Sequence, residues 1–131
     1  MAEHPHVALV RGGYEALSRG DIEAMSEFAV EDVAFHVPGR HQFAGDYRGL
    51  SAAREYYQRL DNATHGPYRI ELEHIFADDR GHVVAVHRTT AERHGQTLDQ
   101  RRATLFTIED GRVVAIHVLD EDVAATDAFW A

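Results

Sequence analysis

Apolar residues recur at steps of three and four in the first stretch of the chain. Val7, Val10, Tyr14 and Leu17 share one face of a helix predicted from about Pro5 to Ser18. Gly20 stops it, and Asp21 caps a second, shorter helix whose apolar face is Ile22, Met25 and Phe28. The period then changes to two: Val33, Phe35 and Val37 alternate with Ala34 and His36 as a short strand ended by Pro38 and Gly39, and a polar loop follows. After Gly49, with Ser51 as cap, a third helix to about Asn62 carries Ala53, Tyr57 and Leu60 on one face, and Gly66 and Pro67 end that stretch. The remainder reads as strands over residues 68–77, 82–93, 96–108 and 112–119, divided by turn-forming clusters at 78–81, 94–95 and 109–111. Helices first and a long curled antiparallel meander afterwards predict an α+β domain, with helices on one sheet face and any pocket between the layers.

The turns also predict which side chains face that pocket. A two-residue turn at His94 and Gly95 makes Arg93 oppose Gln96, so Val83 opposes Phe106, Ala85 Thr104, His87 Arg102 and Thr89 Gln100, all on one face with Leu98 and Ile108. The other face holds Asp99, Arg101, Thr107 and Glu109, so the first set is assigned to the interior. For the last hairpin, a three-residue loop of Glu109, Asp110 and Gly111 pairs Ile108 with Arg112 and turns Val114, Ile116 and Val118 inward. A two-residue loop would instead turn in Ala115, His117 and Leu119. On the strand at 68–77, strict alternation places His74 on the apolar face with Tyr68, Ile70, Leu72 and Phe76, as a core histidine.

Length and composition narrow the function. With 131 residues and no repeat or linker, residues 1–131 form a single domain, long enough for a core with a pocket inside. Thirteen basic residues, all arginine, against 22 acidic ones give a net charge of −9, the wrong sign for nucleic acid or an anionic membrane. No cysteine means no disulfide, thiolate metal site or cysteine nucleophile, and with no export leader or long apolar run in the sequence a cytoplasmic address is expected. Ten histidines raise a metal reading, but no spacing converges three or four of them, and no serine sits in a nucleophile elbow; no metal and no cofactor are expected.

The succession of Tyr14-Glu-Ala-Leu-Ser-Arg-Gly-Asp21, Val33-Ala-Phe-His-Val-Pro-Gly39, Tyr47-Arg-Gly49, Asp110-Gly-Arg-Val-Val114 and Asp127-Ala-Phe-Trp-Ala131 resembles the SnoaL-like branch of the nuclear transport factor 2-like superfamily, over nearly the whole chain. The resemblance implies a cone-shaped curved antiparallel sheet with three N-terminal helices packed on its concave face, and a homodimer formed through the sheet's outer face. It does not fix a reaction, because that superfamily hosts isomerases, polyketide cyclases, hydrolases, dehydratases and non-catalytic domains. The ketosteroid isomerases' oxyanion-hole tyrosine aligns with Gly13, their aspartate base with Val37 and their protonated aspartate with Thr104, so that chemistry is not expected here.

Candidate site residues follow from facing and chemistry. An interior Arg102 requires an anion, a carbonyl or a paired carboxylate, the last supplied by Asp120 or Glu121. His87 opposite it is a candidate acid or base, kept neutral by its cationic neighbour. The expected ligand-binding set is Arg102, Thr104, His36, Tyr14, Phe106 and Val118, with Asp120 and His87 as catalytic residues and His36 facing either the pocket entrance or the outer surface. The expected ligand is a hydrophobic carbonyl-bearing small molecule, as in a cyclase or isomerase where Asp120 removes a proton and a histidine or arginine steadies the enolate. The competing reading is a non-catalytic dimerising domain whose cone is filled by its own side chains. A cavity under about 100 Å³ around Tyr14, Tyr57 and Phe106 would favour the filled cone, since ligand sites usually span ~300 Å³ or more.

Overall fold

The computed structural model describes residues 3–19 and 21–131; Gly20, expected to stop the first helix, and the Ile22 side chain, expected on the second helix's apolar face, lie outside the described residues. Helix α1 runs Pro5–Ser18, with Pro5 in its first turn where a missing N–H is harmless. A single 3₁₀ turn, Ile22–Ala24, leads into α2, Met25–Phe28, and the Asp21 carboxylate accepts from the Ala24 N–H as the expected cap. Strands β1, Ala29–Val37, and β2, Gly45–Arg48, precede α3, Leu50–Ala63. The long strands β3, Arg69–Ala77, β4, His82–Arg93, β5, Gln96–Glu109, and β6, Arg112–Asp120, follow, and α4, Val123–Trp130, closes the chain.

All six strands form one curved, unclosed sheet in the order β2-β1-β6-β5-β4-β3. The α+β architecture with helices over one sheet face is as expected. Helix α1 lies over β3 and β4, α3 over β1 and β2, and α4 against β5. Between them a continuous core runs from Val10 and Phe28 through Phe35, Val83, Ala85 and Phe106 to Val118 and Trp130.

The β4–β5 register is the predicted one at every pair from His82 opposite Thr107 to Arg93 opposite Gln96. His94 and Gly95 both take positive φ, the backbone twist that a two-residue hairpin turn needs.

Several local expectations are corrected. The last hairpin closes through Asp110 and Gly111 alone, both at positive φ, so Glu109 and not Ile108 pairs with Arg112. An irregularity after Ile108–Val113 absorbs an extra residue at Val114, which restores the parity and still turns Ile116 and Val118 into the core, but not Val114. The register moves by two positions, and Arg102 therefore faces Asp120. A bulge between Leu72 and His74 flips the outer half of β3. His74 is exposed and stacks on Phe76, itself 62% exposed, while Ile75 and Ala77 face inward in their place.

Three elements differ from the sequence reading. Strand β1 begins at Ala29 and runs parallel to β6, a junction no hairpin constrains; every other pairing in the sheet is antiparallel. The polar loop after Pro38 contains the edge strand β2, whose Gly-Asp-Tyr-Arg sequence has no apolar alternation to reveal it. Helix α3 begins from Gly49 with no side-chain cap, so Ser51 lies inside the helix. Helix α4 is capped by Asp122, which accepts from the Ala125 N–H, and buries Phe129 and Trp130; Asp127 ties it to the β1–β2 loop by accepting from the Arg40 and His41 N–H groups.

Candidate functional site

The sheet's inner face carries three polar residues in a row across three strands: His87 on β4, Arg102 on β5 and Asp120 on β6, each directly opposite the next. His87 is 5% exposed and Arg102 7%. Arg102 donates through Nε to Asp120 Oδ1 and through Nη1 to the Tyr68 hydroxyl at 3.2 Å. The Asp120 side chain is fully enclosed. Thr104, 3% exposed, stands two residues along β5 on the same face, between Ala85 and Val118.

Helix α1 supplies the lid. The Tyr14 hydroxyl lies 3.0 Å from His87 Nδ1, and the two rings meet edge-on at 5.5 Å. Burial pushes the Tyr14 phenol up to about 12, so it stays protonated. Burial, helped by the Arg102 charge, pulls His87 from 6.5 down to about 4, so its imidazole is neutral at pH 7. The phenol is the stronger acid and the imidazole nitrogen the stronger base, so the Tyr14 hydroxyl donates to Nδ1 and the remaining ring proton sits on Nε2. That Nε2, the Thr104 hydroxyl and Asp120 Oδ2 are buried with no hydrogen-bond partner among the described residues. Unmet polar groups in a core cost about 1–3 kcal/mol each, and with the Thr89 hydroxyl on the same face four such groups weigh against the fold here.

His87 and Thr104, but not Asp120, border a chamber of about 40 Å³ lined also by Tyr14, Phe28, Phe35, Tyr56, Tyr57, Tyr68, Arg102, Phe106, Ile116 and Val118, among others. Its volume falls below the 100 Å³ mark and Tyr14, Tyr57 and Phe106 do crowd it, so the chamber taken alone answers to the filled cone and not to a ligand site. It does not stand alone. A cleft of about 450 Å³ shares the wall of Tyr14, Leu17, Tyr57, Tyr68 and Ile70, and its rim residues Asp61, Pro67, Arg69 and Glu71 are exposed. The cleft is of ordinary ligand size, whereas the chamber has room for no more than a small group.

The sequence-predicted residues divide accordingly. Tyr14, His87, Arg102, Thr104, Phe106 and Val118 line the chamber together. Asp120 does not line it and is enclosed behind Arg102; Glu121 is exposed. His36 is corrected: it is not a lining residue, because odd positions of β1 (Val33, Phe35, Val37) point into the core. Its imidazole instead hydrogen-bonds Asp46 at 2.6 Å and stacks on His117 at 4.4 Å, on the outer side. Tyr56 is buried as packing among the chamber residues, as its side chain suggests, whereas the partnership of Tyr68 with Arg102 leaves no mark in the sequence. Tyr56 follows Ala53 by three, a spacing that puts it on the same helical face.

At Gly13, the position expected to align with the ketosteroid isomerases' tyrosine, a Cβ would lie 2.7 Å from the Phe28 ring, which would have to shift to admit a side chain. Among the described residues no group of three or more His, Asp or Glu side chains is placed to hold a metal, and no helix is long and apolar enough to cross a membrane.

Comparison with known proteins agrees with this architecture. The chain is 35% identical to an uncharacterized protein of Mycobacterium tuberculosis strain H37Rv over 131 residues, the full length of both. It superposes on Bal32a, from a soil-derived mobile gene cassette, with a TM-score of 0.92 at 35% identity, covering 97% of each chain. A putative polyketide cyclase from Xanthomonas campestris pv. campestris matches with a TM-score of 0.76 at 26% identity, again over 97% of each chain. The cystatin-like, nuclear transport factor 2-like fold is shared with further solved structures. Residues 10–116 match the model of the SnoaL-like domain, and the chain belongs to that family.

Proposed function

We propose that the protein binds a small hydrophobic molecule in the cleft and presents the molecule's oxygen, a carbonyl, to the donors of the inner chamber. The observation that carries this is the pair of buried, unpartnered groups on the chamber face, His87 Nε2–H and the Thr104 hydroxyl, beside an arginine already held in place. A cone filled only for stability would gain by making those positions apolar. The similarity to a putative polyketide cyclase fits a carbonyl substrate. A catalytic form in which Asp120 takes a proton from the carbon beside the carbonyl is disfavoured, because Asp120 stands behind Arg102 and does not line the chamber; the binding reading needs no base.

Thr104→Val tests the binding role, because it keeps the shape and removes one donor. Affinity for 2-acetylnaphthalene, measured by calorimetry, should fall about three- to tenfold, while the melting temperature stays level or rises as an unpartnered hydroxyl leaves the core. A variant that binds as well as wild type would remove Thr104 from the site, and a wild-type protein that binds no carbonyl compound would return the filled cone.

The outer sheet face fits a second copy of the chain. Phe76 is 62% exposed and Leu119 51%, and cross-strand pairing joins Phe76 to Val84, Val84 to Leu105, and Ala103 to Leu119, giving one apolar stripe. A homodimer of about twice the 14.7 kDa chain mass is expected in analytical ultracentrifugation, and Phe76→Glu with Leu119→Glu should shift it to monomer. A wild-type monomer at tens of micromolar would exclude this interface.

A further inference from the structure

Resting on that binding reading, we infer that the site selects a ligand whose inner end is uncharged, a ketone, aldehyde or ester carbonyl, and rejects a carboxylate of the same shape. The argument is the charge inventory of the enclosed space. Arg102 and Asp120 are the oppositely charged pair beside the chamber, and they are already joined to each other, Nε to Oδ1. Tyr14, Tyr56, Tyr57 and Tyr68 bring phenols, and His87 brings a neutral ring. The formal charges therefore cancel before any ligand arrives.

A neutral carbonyl uses what is left over. It accepts from His87 Nε2–H and the Thr104 hydroxyl, and no charge has to be matched. A carboxylate would bring a second anion into a space whose one cation is engaged, beside Asp120 Oδ2, which already lacks a partner. Burying an ion without a counter-ion is among the most costly steps in recognition, and the donors recover only part of it. The approach adds to the bias. The cleft rim holds Asp61 and Glu71 against Arg69, and the whole chain carries −9, so an anion is repelled before it enters.

The test compares 2-acetylnaphthalene with 2-naphthoate, near-equal in shape and different in charge, at pH 7.5 by calorimetry and by the imidazole ¹⁵N shifts of His87. The ketone is expected to bind at least roughly tenfold tighter and to shift the His87 Nε2 resonance. Asp120→Asn should narrow or invert that preference, because Arg102 is then an unbalanced cation that welcomes the carboxylate. Equal binding, or tighter binding of naphthoate to the wild type, overturns the inference while leaving the binding site standing. Failure of both compounds to bind or to move His87 overturns the site itself and this inference with it. If Asp120→Asn does not fold, the wild-type comparison decides alone.

Discussion

Replacing Asp120 by alanine should cost about 3–5 kcal/mol of folding stability, because it leaves the Arg102 guanidinium buried without its counter-ion. The contrast with the sheet's outer side makes the expectation specific. Arg88 and Asp99 form a bidentate pair at 2.7 and 2.6 Å, better in geometry than many buried pairs, yet both side chains are nearly half exposed and water screens them. Truncating Asp99 should barely change the urea midpoint; truncating Asp120 should move it far. The pair as a whole is another matter. Arg102→Met combined with Asp120→Leu removes both charges and fills the space with apolar atoms, and should recover most of the loss. If the double variant is as unstable as Asp120→Ala, the desolvated charge is not what the single variant exposes, and the site's electrostatic account fails. Ligand binding should be lost in the double variant even where stability returns, which separates what the pair does for the fold from what it does for the site.

How much of this was legible in the sequence depends on what constrained each residue. The β4–β5 hairpin was fully legible, because a two-residue turn leaves no freedom in register and its pairing carries His87, Arg102 and Thr104 onto one face. The neighbouring strands were not, and for one reason: a bulge adds a residue without leaving a mark in the apolar pattern. At Val114 the bulge compensated a shorter turn, so Ile116 and Val118 still face inward although Arg102 gained Asp120 as its partner instead of Val118. At His74 nothing compensated, and a histidine read as core lies on the surface. The parallel β1–β6 junction and the facing of His36 depend on contacts between segments some 80 residues apart, for which periodicity carries no information. Helix α4 was the most readable of the missed elements, with Asp122 at its start and an alanine-rich, aromatic-ended run behind it.

The second large effect is on acid stability, and His87 is its source. In the folded protein burial and Arg102 hold its imidazole at about 4, while in the unfolded chain it titrates at 6.5. Above pH 6.5 both states are neutral at this ring and the full stability is present. As pH falls below 6.5 the unfolded chain takes up the proton and the folded one does not, so stability drops until about pH 4, where both are protonated. The complete loss is about 3 kcal/mol, and about 2 kcal/mol of it should have gone by pH 5. His41, also lowered mainly by burial, acts in the same direction. The carboxylates held low by partners, Asp78 with its two backbone N–H groups foremost, act later, from the range where unfolded carboxylates protonate down to about 2. The difference between wild type and His87→Gln therefore isolates the ring. Glutamine can still meet the Tyr14 hydroxyl but does not titrate, so the wild type should lose about 2 kcal/mol more than the variant between pH 7 and pH 5 in urea unfolding monitored by circular dichroism. Parallel stability curves for the two proteins over that interval would mean that His87 is free to protonate in the folded state. Its Nε2–H would then lose its standing as a neutral donor to the ligand oxygen.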